Sequence, residues 1–324
     1  MKLIGVTNLN ISKIGILGAG VMGPGIAEVF AIFGASHNFN IFICDISPIA
    51  IKEAIQRLKE DLVKVGTTGL YSEEDLAKAK DRITFTTKIN DIYDSDLIIE
   101  AVPENLELKK KIFHELDRNI TPTAIIATNS SGLSITEISS NAIRPERCIG
   151  THFMNPPILM PLVEVVNGNK TSKKVTKTVM SLLREVNKQP VLVKKDIPGY
   201  VHNRLQAAVF RELMYLVDQD VMSIVDLEMT VRYGLGLRLP IMKVFEMVDL
   251  MGIDTIFSVL SYLYPSLARS TEPPAFLKDM ITKGTLGVKS QKGFHDYRDY
   301  DMQQSMTQKQ IGTFQLLMLM HQFN

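Results

Sequence analysis

Residues 13–33 read KIGILGAGVMGPGIAEVFAIF, and this stretch decides the fold. Its first five residues are almost wholly apolar, the pattern of a strand covered on both faces. Gly18-Ala19-Gly20-Val21-Met22-Gly23 follows, and residues 21–33 then carry helical spacing. Gly18 permits a tight turn, Gly20 lets the backbone approach a pyrophosphate, and Gly23 permits close helix–strand packing. The helix N-terminus adds free N–H groups and the positive end of a dipole. Pro24 lacks an N–H, which is harmless only in a first helical turn, so the helix must begin near Gly20. Asp45 ends the next apolar run, 22 residues after Gly23, close to the spacing of a ribose-binding acid. Its charge repels a 2′-phosphate and no arginine follows in Ile46-Ser47-Pro48, so the pattern favours NAD over NADP. A glycine turn without a ligand is the bland alternative.

Outward from this unit the alternation continues. Strands are expected at 13–17, 40–44, 82–86, 96–102, 124–128, 147–153, 162–166 and 190–193, with helix-length segments between most of them. Ser47-Pro48 places a capping hydroxyl before a first-turn proline, and Ser72-Glu73-Glu74-Asp75 places acids in a first turn. The reading is an α/β fold: a Rossmann-like N-terminal domain with a mostly parallel sheet. After Asp196 the pattern becomes helical, at 203–217, 224–233, 241–250 and 254–262, so an all-α C-terminal domain is expected. Ile197-Pro198-Gly199 marks the hinge. The divisions are then 1–196, 197–300 and a tail, 301–324. The tail is read either as a short amphipathic helix or as a weakly ordered end.

The chain has 324 residues, enough for two domains, and 45% are hydrophobic, so it can bury a core. Lys+Arg number 36 and Asp+Glu 35, a balance that disfavours general nucleic-acid binding. Cys44 and Cys148 lie in apolar runs without a CxxC, which predicts buried thiols, no cysteine-based metal site and a reducing, cytoplasmic setting. No run reaches the roughly 18 apolar residues of a membrane span. Met1-Lys2-Leu3-Ile4-Gly5-Val6 lacks a signal-peptide core.

Two polar residues stand out in apolar strands. His152 ends the run 147–153, before the break Asn155-Pro156-Pro157. Carboxyl ends of parallel strands are where such folds bind ligands. Glu164 lies within Leu162-Val163-Glu164-Val165-Val166, where a buried carboxylate needs a partner. Twelve residues separate the two, enough for a turn that joins them, and an imidazole oriented by a carboxylate is a general acid/base. A core histidine and an edge-strand glutamate are the bland readings. Thr128-Asn129-Ser130-Ser131 and Glu104-Asn105 follow other strands, where caps and turns are the ordinary roles.

GAGVMGPGIA, EAVPENLELKKKIF, TNSSGLSITEI, GTHFMNPPILMPLVEVV and PGYVHNRLQ occur in the order of the 3-hydroxyacyl-CoA dehydrogenase family, which the chain resembles from residue 13 to about 297. The resemblance implies NAD-dependent oxidation of an L-3-hydroxyacyl substrate and a helical dimerisation domain, hence a homodimer. It makes His152 the base and Glu164 its orienting partner, with Ser131 and Asn203 on the substrate oxygen. Gly18, Ala19, Gly20, Val21, Met22, Gly23 and Asp45 become the dinucleotide site, with Glu104, Lys109 and Asn155 on the nicotinamide side. Lys289, in an imperfect copy of the family's late glycine motif, is a further cofactor contact.

The carrier of the substrate stays open. Family positions that contact coenzyme A fall on Asp61 and Thr68, and an anion at Asp61 opposes phosphate, although Lys59 and Lys64 lie near in sequence. Residues 103–111, 203–206 and 234–238 look closer to the L-gulonate 3-dehydrogenase and lambda-crystallin branch. That branch implies a free 3-hydroxy acid, with Arg238 as a candidate carboxylate clamp or a plain surface arginine. A non-catalytic, crystallin-like NAD-binding role is the third reading. The joint presence of Ser131, His152, Glu164 and Asn203 opposes it. A short insertion at 36–39 lengthens a loop before the second strand.

Overall fold

The computed structural model describes residues 11–34, 39–66 and 72–320. The expected contacts at Thr68, the insertion at 36–38 and the Lys64 side chain lie outside the described residues. The chain separates into two compact units, Met1–Arg204 and Leu205–Asn324.

The first unit is built on one eight-stranded sheet. In chain order the strands are β1 (Lys13–Leu17), β2 (Asn40–Cys44), β3 (Ile83–Thr86), β4 (Leu97–Glu100), β5 (Ile125–Thr128), β6 (Cys148–Phe153), β7 (Leu162–Val166) and β8 (Gln189–Val193). Their order across the sheet is β3-β2-β1-β4-β5-β6-β7-β8. All neighbours are parallel except β6 and β7, which run antiparallel. The eight expected strands are therefore present, with ends shifted by a few residues. The chain winds outward from β1 in both directions, so the β1/β4 boundary is the point where a crevice opens at the carboxyl edge.

Helices α1 (Met22–Phe33), α2 (Pro48–Gly66), α3 (Glu73–Asp81), α4 (Leu106–Asn119), α5 (Ile135–Ile138) and α6 (Lys173–Glu185) connect the strands. Alternation along each strand divides the core. Ile14, Ile16, Ile41, Ile43 and Ile99 join one buried cluster with α1, whose Phe30 packs edge-on against Phe39 and Phe153. Leu17, Cys44, Ile98, Ile126 and Cys148 join the other, with Phe113 and Leu116 of α4. Both faces are dry, which is why these strands read as continuous apolar runs. Both cysteines are free and buried, and burial pushes their thiols up to about 11 at Cys44 and about 12 at Cys148. They stay protonated and serve as small core residues.

The first unit runs past the expected boundary at Asp196. Tyr200 is fully buried in it, and the amides of Val201 and His202 both bond Glu164. Helix α7 (His202–Asp218) therefore begins on the first unit.

The second unit is helical: the rest of α7, then α8 (Ile224–Thr230), α9 (Val244–Met251), α10 (Ile253–Leu263), α11 (Ala275–Thr282) and α12 (Met302–Met320). Its described residues hold only two isolated β-bridges and no named strand. The expected helix 224–233 is split, because a π-helical stretch, Val231–Gly236, takes over where Gly234 and Gly236 follow. The expected helix 241–250 starts only at Val244, after Pro240 and a Lys243 amide that donates to Glu246 (3.4 Å). The tail is mostly α12. Its apolar residues surround the axis instead of forming the stripe of an amphipathic helix.

Candidate active site

Backbone geometry explains each glycine of the loop after β1. Gly18 has φ +112°, and a Cβ there would lie 2.6 Å from the Ala101 carbonyl oxygen. A Cβ on Gly23 would collide with the Gly18 carbonyl. Gly20 is the opposite case: nothing lies within 4 Å of the place its Cβ would take. Gly18 and Gly23 build the turn, and Gly20 leaves its outer face open to a ligand. Helix α1 starts at Met22, after Val21, so Pro24 falls in the first turn as its chemistry requires. Val21 is exposed at the rim and Ala19 is buried.

Asp45 is fixed toward this loop. One carboxylate oxygen accepts from Ala19 N (2.8 Å) and the other from Ser47 N (2.9 Å). Each oxygen keeps a lone pair for a ribose hydroxyl. Arg57 of α2 donates to the Gly20 carbonyl (2.6 Å) and brings a cation to the loop that the motif alone does not reveal. An open glycine face, a helix N-terminus and a fixed acid together fit a dinucleotide.

Further along the same sheet, β6 and β7 pair so that His152 lies directly opposite Glu164. His152 Nδ1 and Glu164 Oε2 are 2.9 Å apart, and both residues are buried. Glu164 belongs to an inner strand, since β8 covers its outer side. Its second oxygen accepts from Val201 N (3.0 Å) and His202 N (2.9 Å) at the start of α7. Burial pushes Glu164 up, but the bonds from His152 and these two amides outweigh it and hold the carboxyl below its ordinary value. The carboxylate is thus ionised at neutral pH. It accepts a hydrogen bond from Nδ1–H, which leaves Nε2 as the ring nitrogen that can accept. Tyr200 packs edge-on to the His152 ring at 5.6 Å and donates its hydroxyl to the Leu133 carbonyl (2.8 Å).

A second polar group spans the ends of β4 and β5. Glu104 accepts from the Ser130 hydroxyl and from the amides of Ser131 (3.0 Å) and Gly132 (3.3 Å). Burial raises it, yet those bonds and Lys109 bring it below its ordinary value. Asn203 donates from its side-chain amide to the Ser131 backbone carbonyl (2.6 Å), so the two residues lie side by side. Asn155 is exposed after β6, next to a cis Asn155–Pro156 bond.

Lys109 lies beneath the surface of the crevice. It is 1% exposed, bonded to Glu100 (2.6 Å) and the Val102 carbonyl (3.2 Å), and reaches the crevice only through Glu104 (3.4 Å). An ammonium buried between two carboxylates is placed to orient Glu104. Glu100, raised by burial, also accepts from Thr128 (2.6 Å). A carboxylate ending the apolar run Leu97-Ile98-Ile99 was the sequence signal for this network. Arg238 and Lys289 lie in the second unit, both exposed, Lys289 in the short helical turn Val288–Ser290. Asp61 lies on α2. Among the described residues no cluster of three or more His, Cys, Asp or Glu side chains is set to hold a metal, and no helix is long and apolar enough to cross a membrane.

A dinucleotide loop at the switch point of a parallel sheet, with a buried imidazole–carboxylate pair at the same edge, defines the class: an NAD-dependent oxidoreductase acting on a CH–OH group. Comparison with known proteins narrows it. Residues 13–197 match the family description "3-hydroxyacyl-CoA dehydrogenase, NAD binding domain", and residues 199–297 match the C-terminal domain of the same family. The chain is 36% identical over 289 residues to a 3-hydroxybutyryl-CoA dehydrogenase of Bradyrhizobium diazoefficiens, covering 89% of this chain and 96% of that protein. It is similar to the crystal structure of an NAD+-dependent dismutase, 5-formyl-3-hydroxy-2-methylpyridine 4-carboxylic acid 5-dehydrogenase, with TM-score 0.87 and 30% identity over 96% of this chain and 99% of that one. It is also similar to (S)-3-hydroxybutyryl-CoA dehydrogenase of Ralstonia eutropha, with TM-score 0.73 and 31% identity over 89% and 99% of the two chains. The chain belongs to the 3-hydroxyacyl-CoA dehydrogenase family.

Proposed function

We propose that the protein oxidises the hydroxyl of an L-3-hydroxyacyl thioester of coenzyme A to the 3-oxo product. The observation that carries this reading is the buried His152–Glu164 pair, 2.9 Å apart, with its free imidazole nitrogen at the carboxyl edge of the sheet. NAD, when bound, accepts a hydride. His152 Nε2 takes the hydroxyl proton, and Glu164 stabilises the imidazolium that results. Ser131 and Asn203, joined to each other, hold the substrate oxygen. Gly18 to Gly23 and Asp45 bind the dinucleotide. Glu104 and Asn155 stand on the nicotinamide side, with Lys109 orienting Glu104.

A second reading has its own support. The similarity of TM-score 0.87 is to an enzyme whose name states a pyridine carboxylate, not a thioester. Together with Asp61 on α2, it favours a free carboxylic acid substrate, for which Arg238 is the candidate clamp. NADH formation with L-3-hydroxybutyryl-CoA, L-gulonate and free 3-hydroxybutyrate separates the readings. Turnover of the thioester is expected, and turnover of the free acids alone overturns it. We also infer a homodimer in a reducing, cytoplasmic setting, supported by the uncovered apolar surface of the second unit and the two free thiols.

A further inference from the structure

The turn between β6 and β7 separates His152 from Glu164, and it is built from prolines. Pro156, Pro157 and Pro161 donate no backbone hydrogen bonds, while their carbonyls still need donors. The Pro156 carbonyl accepts from Leu159 N (3.1 Å) and Met160 N (3.0 Å), and Pro161 accepts from Gln189 N (2.8 Å). The Pro157 and Met160 carbonyls are met by a side chain from outside the turn. Lys188, one residue before β8, donates its ammonium to Pro157 (2.6 Å) and to Met160 (3.2 Å).

Lys188 is 3% exposed. Its ammonium lies 5.4 Å from the Phe33 ring at the end of α1, and among the described residues no carboxylate is within ion-pair distance of it. Burying a lysine without a counter-ion is costly, and burial moves its pKa down to about 7. An apolar side chain would fill the space without that cost, so the donors themselves account for the lysine. The turn also touches the dinucleotide helix. A Cβ on Gly25 of α1 would come within 2.9 Å of the Pro157 ring. One side chain therefore clamps the turn that presents Asn155 and joins the strands of His152 and Glu164, and that same turn packs on the helix that opens at the glycine loop.

We propose that Lys188 is a positioning residue of the NAD site: by clamping the Pro157 and Met160 carbonyls it holds Asn155, and the ends of β6 and β7, in register with α1. The proposal rests on the NAD site described above and not on the identity of the substrate. Hydrogen exchange by mass spectrometry on the wild-type protein gives the first test. NAD should slow exchange at Asn155, Ile158, Leu159 and Met160, and exchange that NAD leaves unchanged overturns the proposal. The second test is Lys188→Met, with Lys188→Arg as the donor-retaining control. The methionine variant should exchange faster across the same turn and raise the Kd for NAD about tenfold, the scale expected of a small misplacement. Arginine should recover most of that loss. A methionine variant with wild-type NAD affinity, altered only in melting temperature, overturns the proposal. Neither test needs a substrate, so a wrong substrate assignment does not alter its outcome.

Discussion

Gly20 and Gly23 are three residues apart and carry different duties. Gly23 is closed in by the Gly18 carbonyl, whereas Gly20 faces open space. A methyl group at Gly23 must push backbone aside and should destabilise the first unit by a few kcal/mol, of order 1–3. The same methyl at Gly20 meets nothing in the fold and should leave the melting temperature unchanged, while it obstructs the approach of a pyrophosphate. Thermal melts and NAD titrations of Gly20→Ala and Gly23→Ala check this directly. A Gly20→Ala protein that binds NAD as tightly as wild type contradicts the assignment of the loop. The residues legible in advance were those that broke a local pattern: glycines in a strand–helix turn, a histidine and a glutamate inside apolar runs. Lys109 was legible as a site residue but not as a buried one, because sequence position does not reveal that Glu100 lies beneath it. Arg57, Tyr200 and Lys188 were illegible, since each acts across the fold on a distant backbone or ring.

At the level of elements, the strands followed from composition, because a sheet dry on both faces leaves long apolar runs. What composition does not carry is direction. The antiparallel step from β6 to β7 comes from a short proline-rich turn in place of a crossover helix. That step puts His152 opposite Glu164 in a non-local pair and makes the turn part of the site. The helices after residue 205 were legible in type but not in extent. Gly234, Gly236 and Pro240 interrupt patterns that periodicity alone joins together. Helix α12 lies beyond the residues that the family description matches, and its apolar residues face all directions. Such a helix is stable in water only when enclosed on several sides.

For the whole molecule, the contrast between the units is the main physical fact. The first has a three-layer core. Among the described residues of the second, Leu227 and Ala268 are the buried apolar ones, while Phe245, Phe257, Tyr262, Leu250 and many others stand exposed. A chain segment of that length cannot offset its ordering entropy with so little burial. The homodimer proposed above would cover this surface, so sedimentation should give twice the mass of one chain, whereas a monomer at micromolar concentration contradicts it. The proposed oxidation stands on His152 and Glu164 of the first unit acting as its proton acceptor. Its most direct test is NADH formation by His152→Ala, with NAD affinity measured on the same preparation. Loss of roughly 10²–10⁴-fold in kcat with NAD binding retained is expected; near wild-type turnover in that variant would contradict a role for His152 as the base.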